Sequence, residues 1–594
     1  MKPSIFARWS FLVIAGLCLG NSSDAANARP EQAIAFVHVN VVPMDREQVL
    51  RDQTVIVNAG RIHTIGPAAR TPVPKHARVI RATGQYLLPG LTDMHVHIYF
   101  PEELTLYVAN GVTTVFNLNG QPAHLNWRKQ IADGDLLGPA IYSVGPTFDH
   151  PRTAAEAVKE VDQQSADGYD GIKIYNQVSG AEYGALTAEA HRKNMILVGH
   201  IAREPGFAAT LGAGQNIAHA EEYLYTFFNE HPTPDNDLTH PLNADKIPQT
   251  VAMTKQAGVC VIATLVAYHN IVRQLTGLPE YLRNPDLQYL APIMLEQLQP
   301  DQNGYLQRTP KEAVPHMAVN FEFQKKLVKA LHDGGVPILA GTDSAGQGLG
   351  VPGFSLLEEI ENFQGIGFTP YAALKTATTD AAALLRQSDK FGTVTVGKRA
   401  DLLLVRDNPL DDVHHLHAIV GVMARGKWIS DSERTAMLAQ VPASYRNTST
   451  RLDQQVKTDP QGVSHYLAMN DPFGEEAFVV LSSLASTSGA QGMKDLLLRL
   501  QKTDASSPLV SETTINQLGY QLLAEKKSDA AVEAFKLNTE LYPRSGNTWD
   551  SLAEMCLGMG KKDLARQYYQ KALEVQPDYS NAKGAQEILK SQLQ

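Results

Sequence analysis

From about residue 85 to residue 390 the chain alternates short apolar runs with longer helical stretches, and no other feature restricts its fold as much. Seven runs read as strands: Leu87–Leu91, Thr113–Asn117, Gly171–Tyr175, Ile196–His200, Asn216–His219, Val259–Leu265 and Val336–Ala340. Strands separated by helix-length segments are parallel βα units, and a parallel sheet needs cover on both faces. Seven or eight such units over roughly 300 residues predict an α/β fold with a (β/α)8 TIM barrel at 85–390, somewhat above the usual ~250 residues.

Short strands flank this region. Ala33–Val39, Gln53–Val57 and Gly60–Gly66 precede it, and Gly392–Gly397, Ala400–Val405 and Ile419–Met423 follow. Because the ends of a domain often lie close together, segments 29–84 and 391–435 are expected to pair into one small β-sandwich. Residues 436–510 are polar and mixed, a linker or helical region. Beyond them Ile515, Leu518, Gly519, Leu522, Ala531, Phe535 and Pro543 recur 34 positions later as Trp549, Leu552, Ala553, Cys556, Ala565, Tyr569 and Pro577. That period predicts all-α helix pairs over 511–594, with 581–592 as a capping helix. Two repeats are few for an independent array, so the tail is expected to dock on the barrel domain or on a protein partner.

The amino terminus reads as a secretory signal peptide over 1–28. Lys2 and Arg8 precede the apolar run Phe11–Gly20, which gives way to small and polar residues up to Ala28. The run is about half the ~20 residues of a membrane span, and no later segment has that length and apolarity. Export to the periplasm or the extracellular space is therefore expected. A formal charge of −10 without a Lys/Arg run argues against nucleic acid as a partner. The cysteines Cys18, Cys260 and Cys556 have no ligand spacing, which disfavours both a disulfide framework and a thiolate metal site.

Candidate chemistry gathers at strand ends. In Leu88-Pro-Gly-Leu-Thr-Asp-Met-His95-Val-His97 the two imidazoles lie two residues apart, so they share one side of a strand. Barrel active sites sit at that C-terminal end, and neutral imidazoles suit a borderline cation such as Zn²⁺. A bare His-x-His pair is a weak signal. His200, His219 and Asp343, however, each follow an apolar run in later βα units. Tyr175, Tyr223 and Tyr225 are candidate pocket residues. The stretch 266–320, with Pro279, Pro285, Pro292 and Pro300, reads as a lid or substrate-binding insertion, or else as a helical decoration. Nucleophilic catalysis is disfavoured, since there is no Gly-x-Ser-x-Gly elbow and Cys260 lies within an apolar run.

The run Tyr86–His97 strongly resembles the first-strand motif of the amidohydrolase superfamily, and His200, His219 and Asp343 match its later positions in order. Gly392–Val405 resembles the family's return strand, and the chain looks most like the imidazolonepropionase and Xaa-Pro-dipeptidase-like branch. The resemblance implies a metal-dependent hydrolase acting on an amide-type C–N bond of a dipeptide, N-acyl amino acid or cyclic amide. It implies that His95, His97 and Asp343 hold one Zn²⁺ and that His200 and His219 hold a second. Lys173, carboxylated by CO₂, would bridge the two, and Asp343 would be the catalytic proton carrier. With Lys173 unmodified the site would keep one metal. Phe535–Pro543 and Asn547–Leu552 resemble a tetratricopeptide-like extension of secreted bacterial hydrolases, a modular add-on apart from the chemistry. Two alternatives stay open: a deaminase on the same barrel, using His219-Ala-Glu221-Glu222, and a non-catalytic scaffold acting through the repeat tail.

Overall fold

The computed structural model describes residues 32–149, 152–230, 239–346 and 348–593. The expected signal peptide, 1–28, lies outside the described residues. The chain is a mixed α/β body followed by an all-helical region.

The alternating region forms two parallel sheets. One holds Leu91–Val96, Val112–Asn117 and Ala140–Ser143; the other holds Gly171–Ile174, Ile196–Gly199, Asn216–Ala218, Val261–Ile262 and Ile338–Leu339. Their edges meet twice. Val144 bridges Gly171 and Phe148 bridges Ile174 at one seam, while Val96 bridges Ser344 at the other. At that second seam the Asp343 amide donates to the His95 carbonyl at 2.8 Å, and the His97 amide donates to the Ser344 carbonyl at 2.7 Å. Leu91–Val96 and Val112–Asn117 are buried at every position, the pattern of parallel strands covered on both faces. Local sequence starts and stops the surrounding helices. Thr153 with Glu156 and Ser179 with Glu182 form capping boxes, and Gly134 and Gly168 end their helices in the left-handed conformation.

Three strand expectations are corrected. The run 87–91 is divided at Gly90: Tyr86–Pro89 pairs antiparallel with Leu402–Val405, and Leu91–Val96 opens the parallel sheet. The chain passes so close to the next strand there that a side chain at Gly90 would meet Thr113 Oγ1 at 2.2 Å. Ala140–Ser143 is a parallel strand that apolar patterning did not single out, being short and half polar. Gly392–Gly397 is not a strand. Both glycines sit at positive φ, so the segment turns, and only Val394 reaches the core.

Strands from before and after the parallel region join edge to edge in one eight-stranded sheet. It curls enough for Phe36 to meet Trp428 edge-on at 5.1 Å, so the two segments pair directly and two facing layers are not separately defined. Of the two expectations for residues 436–510, linker or helical region, the helical one describes them. They fold as Asp431–Val456, Pro460–Asn470 and Glu475–Thr503, ahead of the helix pairs Glu512–Ala524 with Ser528–Leu541 and Gly546–Gly558 with Lys562–Val575. One apolar cluster runs from Leu452 to Leu593, uniting these helices with the repeats. Pro442 inside the first helix and the non-helical Gly489 inside the third blur their periodicity in the sequence.

This helical region docks on the parallel one. Trp127 Nε1 donates to Asn470 Oδ1 at 3.2 Å, and Thr448 Oγ1 donates to Glu102 Oε1 at 2.9 Å. Phe473 packs against Tyr99 and His124 at ring separations of 4.8 and 5.9 Å.

Candidate metal centre and cavity

The six strand-end residues singled out from sequence gather at one end of the parallel sheets. His95 lies in Leu91–Val96, His97 just beyond it, and Lys173 in Gly171–Ile174; His200 and His219 directly follow their strands. Asp343 comes across the second seam. Its Oδ1 stands 2.8 Å from His97 Nε2 and 3.2 Å from His95 Nε2. Lys173 Nζ is 3.3 Å from the same His95 nitrogen. The His95 and His219 rings are 4.5 Å apart, and those of His200 and His219 are 4.7 Å apart. Ligand-type atoms of His95, His219 and Asp343 all lie within 4.8 Å of one another.

Burial sets the protonation states. It drives His95 and His219 well below the usual imidazole range, with Lys173 adding to the effect on His95 and His95 adding to that on His219. Burial also pushes the Lys173 ammonium down to about 8, against the pull of Asp343 and Glu222. Burial alone would raise Asp343, but attraction and hydrogen bonds from His95 and His97 hold it well below the carboxylate range. Burial thus favours the neutral imidazole at His95 and His219, while Asp343 favours the carboxylate.

That donor set fits a cation and is ill matched without one. His95 Nε2 cannot donate to Asp343 while accepting from Lys173, yet it faces both, and its Nδ1 is buried with no hydrogen-bond partner. A positive ion among these atoms satisfies the carboxylate and the imidazoles together.

Several supporting residues escaped the sequence reading. Glu222 Oε1 stands 2.8 Å from His200 Nδ1, and its Oε2 accepts from Arg203 Nη1 at 2.6 Å. Although burial opposes it, these partners hold Glu222 down at about 2. Thr264 Oγ1 lies 2.8 Å from His219 Nδ1. Asp93 accepts from Thr342 Oγ1 at 2.7 Å and from the His95 amide at 3.2 Å, tying the first strand to the loop that carries Asp343. Asp93 stood inside the quoted motif and Glu222 three residues after His219, so position was the available signal. His219, Thr264 and Asp343 all take positive φ without being glycine, a conformation of order 1–3 kcal/mol that persists only where surroundings impose it.

Above these residues opens a cavity of about 890 Å³. Lys173, His200, His219 and Asp343 reach it, as do Tyr175 and Tyr225. Tyr223, the third candidate, is fully buried instead, with its hydroxyl 3.2 Å from Thr254 Oγ1. The stretch 266–320 is helical and supplies one wall through Tyr268, Gln274, Met294, Asn303 and Tyr305, so it is more than decoration. Glu475, from the C-terminal helical region, also lines the cavity.

The Amidohydrolase family profile matches residues 86–429, more than half of the 594 residues. The chain belongs to the amidohydrolase family. It is 22% identical over 413 residues to an adenine deaminase of Paracoccus denitrificans, covering 66% of this chain and 58% of that protein. An imidazolonepropionase of Idiomarina loihiensis is 24% identical over 375 residues, covering 60% of this chain and 86% of that protein. Among solved structures, a bottromycin amidohydrolase matches with a TM-score of 0.54 at 23% identity, covering 70% of this chain and 91% of that one. A Xaa-Pro dipeptidase with bound methionine in the active site matches with a TM-score of 0.51 at 19% identity, covering 67% of this chain and 100% of that one. These two likenesses bear on the fold alone.

Proposed function

We propose that this protein is an exported, zinc-dependent hydrolase of an amide-type C–N bond in a dipeptide, N-acyl amino acid or cyclic amide. The observation that carries the reading is the convergence of His95, His219 and Asp343, with His97 and Lys173 in contact, beneath a cavity of substrate size. We read the two parallel sheets as arcs of one (β/α)8 barrel, supported by the bridges at both seams, and the curled sheet as its small β-sandwich. The two helix pairs, whose starts repeat at 34 residues, are read as tetratricopeptide-like. Export rests on the order of residues 1–28, and a mature amino terminus just beyond Ala28 would bear it out.

His95, His97 and Asp343 would hold one zinc, and His200 and His219 a second. Lys173, carboxylated at Nζ with loss of a proton, would offer two anionic oxygens between them; left unmodified, it leaves a single-ion site. Bound zinc supplies Lewis acidity, which brings the pKa of water from 15.7 toward ~7 and polarises a carbonyl. Asp343, kept ionised by its imidazole neighbours, takes the proton of the attacking water and passes it to the departing nitrogen. Glu222, an acceptor only, fixes the tautomer of His200 and leaves its Nε2 as the basic nitrogen, while Thr264 steadies the His219 ring through Nδ1.

Zinc and bicarbonate reconstitution, metal analysis and profiling against these three substrate classes test the proposal. One or two zinc ions per chain with release of a free amine is the expected result. Absence of both binding and cleavage would leave the scaffold reading. Deamination is a second reading, favoured by Glu221, which lines the cavity two residues after His219, and by the likeness to adenine deaminase. Ammonia release from adenine without amide cleavage decides for it.

A further inference from the structure

We propose that the C-terminal helical region completes the substrate site, with Glu475 as a specificity-determining carboxylate that receives an ammonium or guanidinium group of the substrate. The inference rests on the hydrolase reading for the reaction but not for the placement. The family match ends at residue 429, so Glu475 comes from outside the part of the chain that the amidohydrolases share. It nonetheless lines the same cavity as His97, Tyr175 and Asp343.

The loop that carries it is fastened rather than loose. Asn470 is held by Trp127 at 3.2 Å, and Phe473 is set between Tyr99 and His124. Asp471 Oδ2 accepts from the Ala477 amide at 2.8 Å, and Gly474 turns through φ 82° to start the helix at Glu475. With the backbone fixed on both sides, the carboxylate has little freedom to leave the cavity wall.

Among the described residues, one oxygen of this carboxylate has no partner. Glu475 Oε2 is buried without a hydrogen-bond partner, a costly state for a carboxylate that a cationic or hydrogen-bond-donating ligand relieves. Burial, and then the neighbouring Asp471, push the group up to about 7, as expected of a desolvated acid without a counter-ion. The cationic side chains of the cavity wall are engaged elsewhere: Arg203 with Glu222, Lys173 with His95, and Arg308, whose Nε donates to the Gly304 carbonyl at 3.1 Å. A substrate cation can serve it.

The test compares full-length, zinc-loaded wild type with Glu475→Gln and Glu475→Asp at about pH 7.4, between Glu475 at about 7 and a terminal amine at ~7.7–8.0. The substrates are alanyl-phenylalanine and its N-acetyl derivative, in which a neutral acetamide replaces the ammonium. Glu475→Gln is expected to lower the kcat/KM preference for the free amine at least about tenfold, mainly through KM, and Glu475→Asp to restore part of it. A preference that moves less than about twofold overturns the proposal. Should wild type cleave neither peptide, the hydrolase reading fails separately, and calorimetric binding of alaninamide against N-acetylalaninamide decides. A cation preference lost in Glu475→Gln supports the assignment. No cation preference in the wild type, or one equal in the variant, overturns it.

Discussion

Two regions meet at the cavity, and they are assembled differently. The strand-end cluster takes His95, Lys173, His200, His219 and Asp343 from five different βα units, each set by a short buried strand in or near which it lies. The loop 470–475 arrives from the helical region, held by one aromatic plug and a few hydrogen bonds. In the first region the backbone ladder itself places the chemistry. In the second, placement depends on helices that have no apolar cover until they pack on one another. The cluster should therefore tolerate damage to the tail, while Glu475 should not.

The largest effect is expected within the cluster. Asp343→Asn keeps the side-chain size but removes the proposed proton carrier, and turnover should fall by about 10²–10⁴. Steady-state kinetics on the reconstituted variant measure this, and near-normal kcat would remove Asp343 from its proposed role.

Deleting 511–594 sharpens the contrast. It strips cover from the helix Glu475–Thr503, which packs on Glu512–Ala524 and Ser528–Leu541 and whose buried leucines are each worth roughly 1.5–3 kcal/mol when fully buried. The truncated chain should retain zinc while losing helical signal and the substrate preference assigned to Glu475. Metal analysis and circular dichroism on the same sample decide, and an unaltered helical remainder would show the tail to be a detachable module.

Glu222→Gln should weaken zinc binding about 10–100-fold, since one of its two acceptor oxygens becomes a donor and His200 and Arg203 then compete for the other. Competition with a chelator reads the change, and unchanged affinity would make Glu222 a partner of Arg203 alone.

The smallest effect lies at the seam between the regions. His124, against Phe473 and Trp127, is pushed by burial from 6.5 to about 4, so the folded protein holds it neutral. The unfolded chain binds the extra proton first. This contribution is thus complete above pH 6.5 and is lost as pH falls toward about 4, at about 1.4 kcal/mol per pKa unit. Subtracting the Tm profile of His124→Asn from that of wild type should reveal the slope, and parallel profiles would refute it.

Legibility in the sequence followed how local the cause was. His95 and His97 were readable because a two-residue spacing on a strand fixes their common side, and His200 and His219 because each ends an apolar run. Glu222 was visible only as a neighbour of His219, since its partner His200 lies in the preceding unit. Tyr223 was misjudged because a residue following a strand end can turn inward as readily as toward the cavity. The helices of 436–510 were hidden by Pro442, Gly489 and a polar composition.

By itself the sequence determined the alternating α/β order, the residue types at the strand ends and the 34-residue helical period, all of which follow from periodicities of a few residues or from spacing along the chain. Only the tertiary structure decided that Asp343 crosses a seam to reach both first-strand histidines, and that Glu475, some 380 residues beyond His95, shares their cavity. The physical reason is that contacts between distant segments are set by which buried faces cover one another, and no local pattern records that choice.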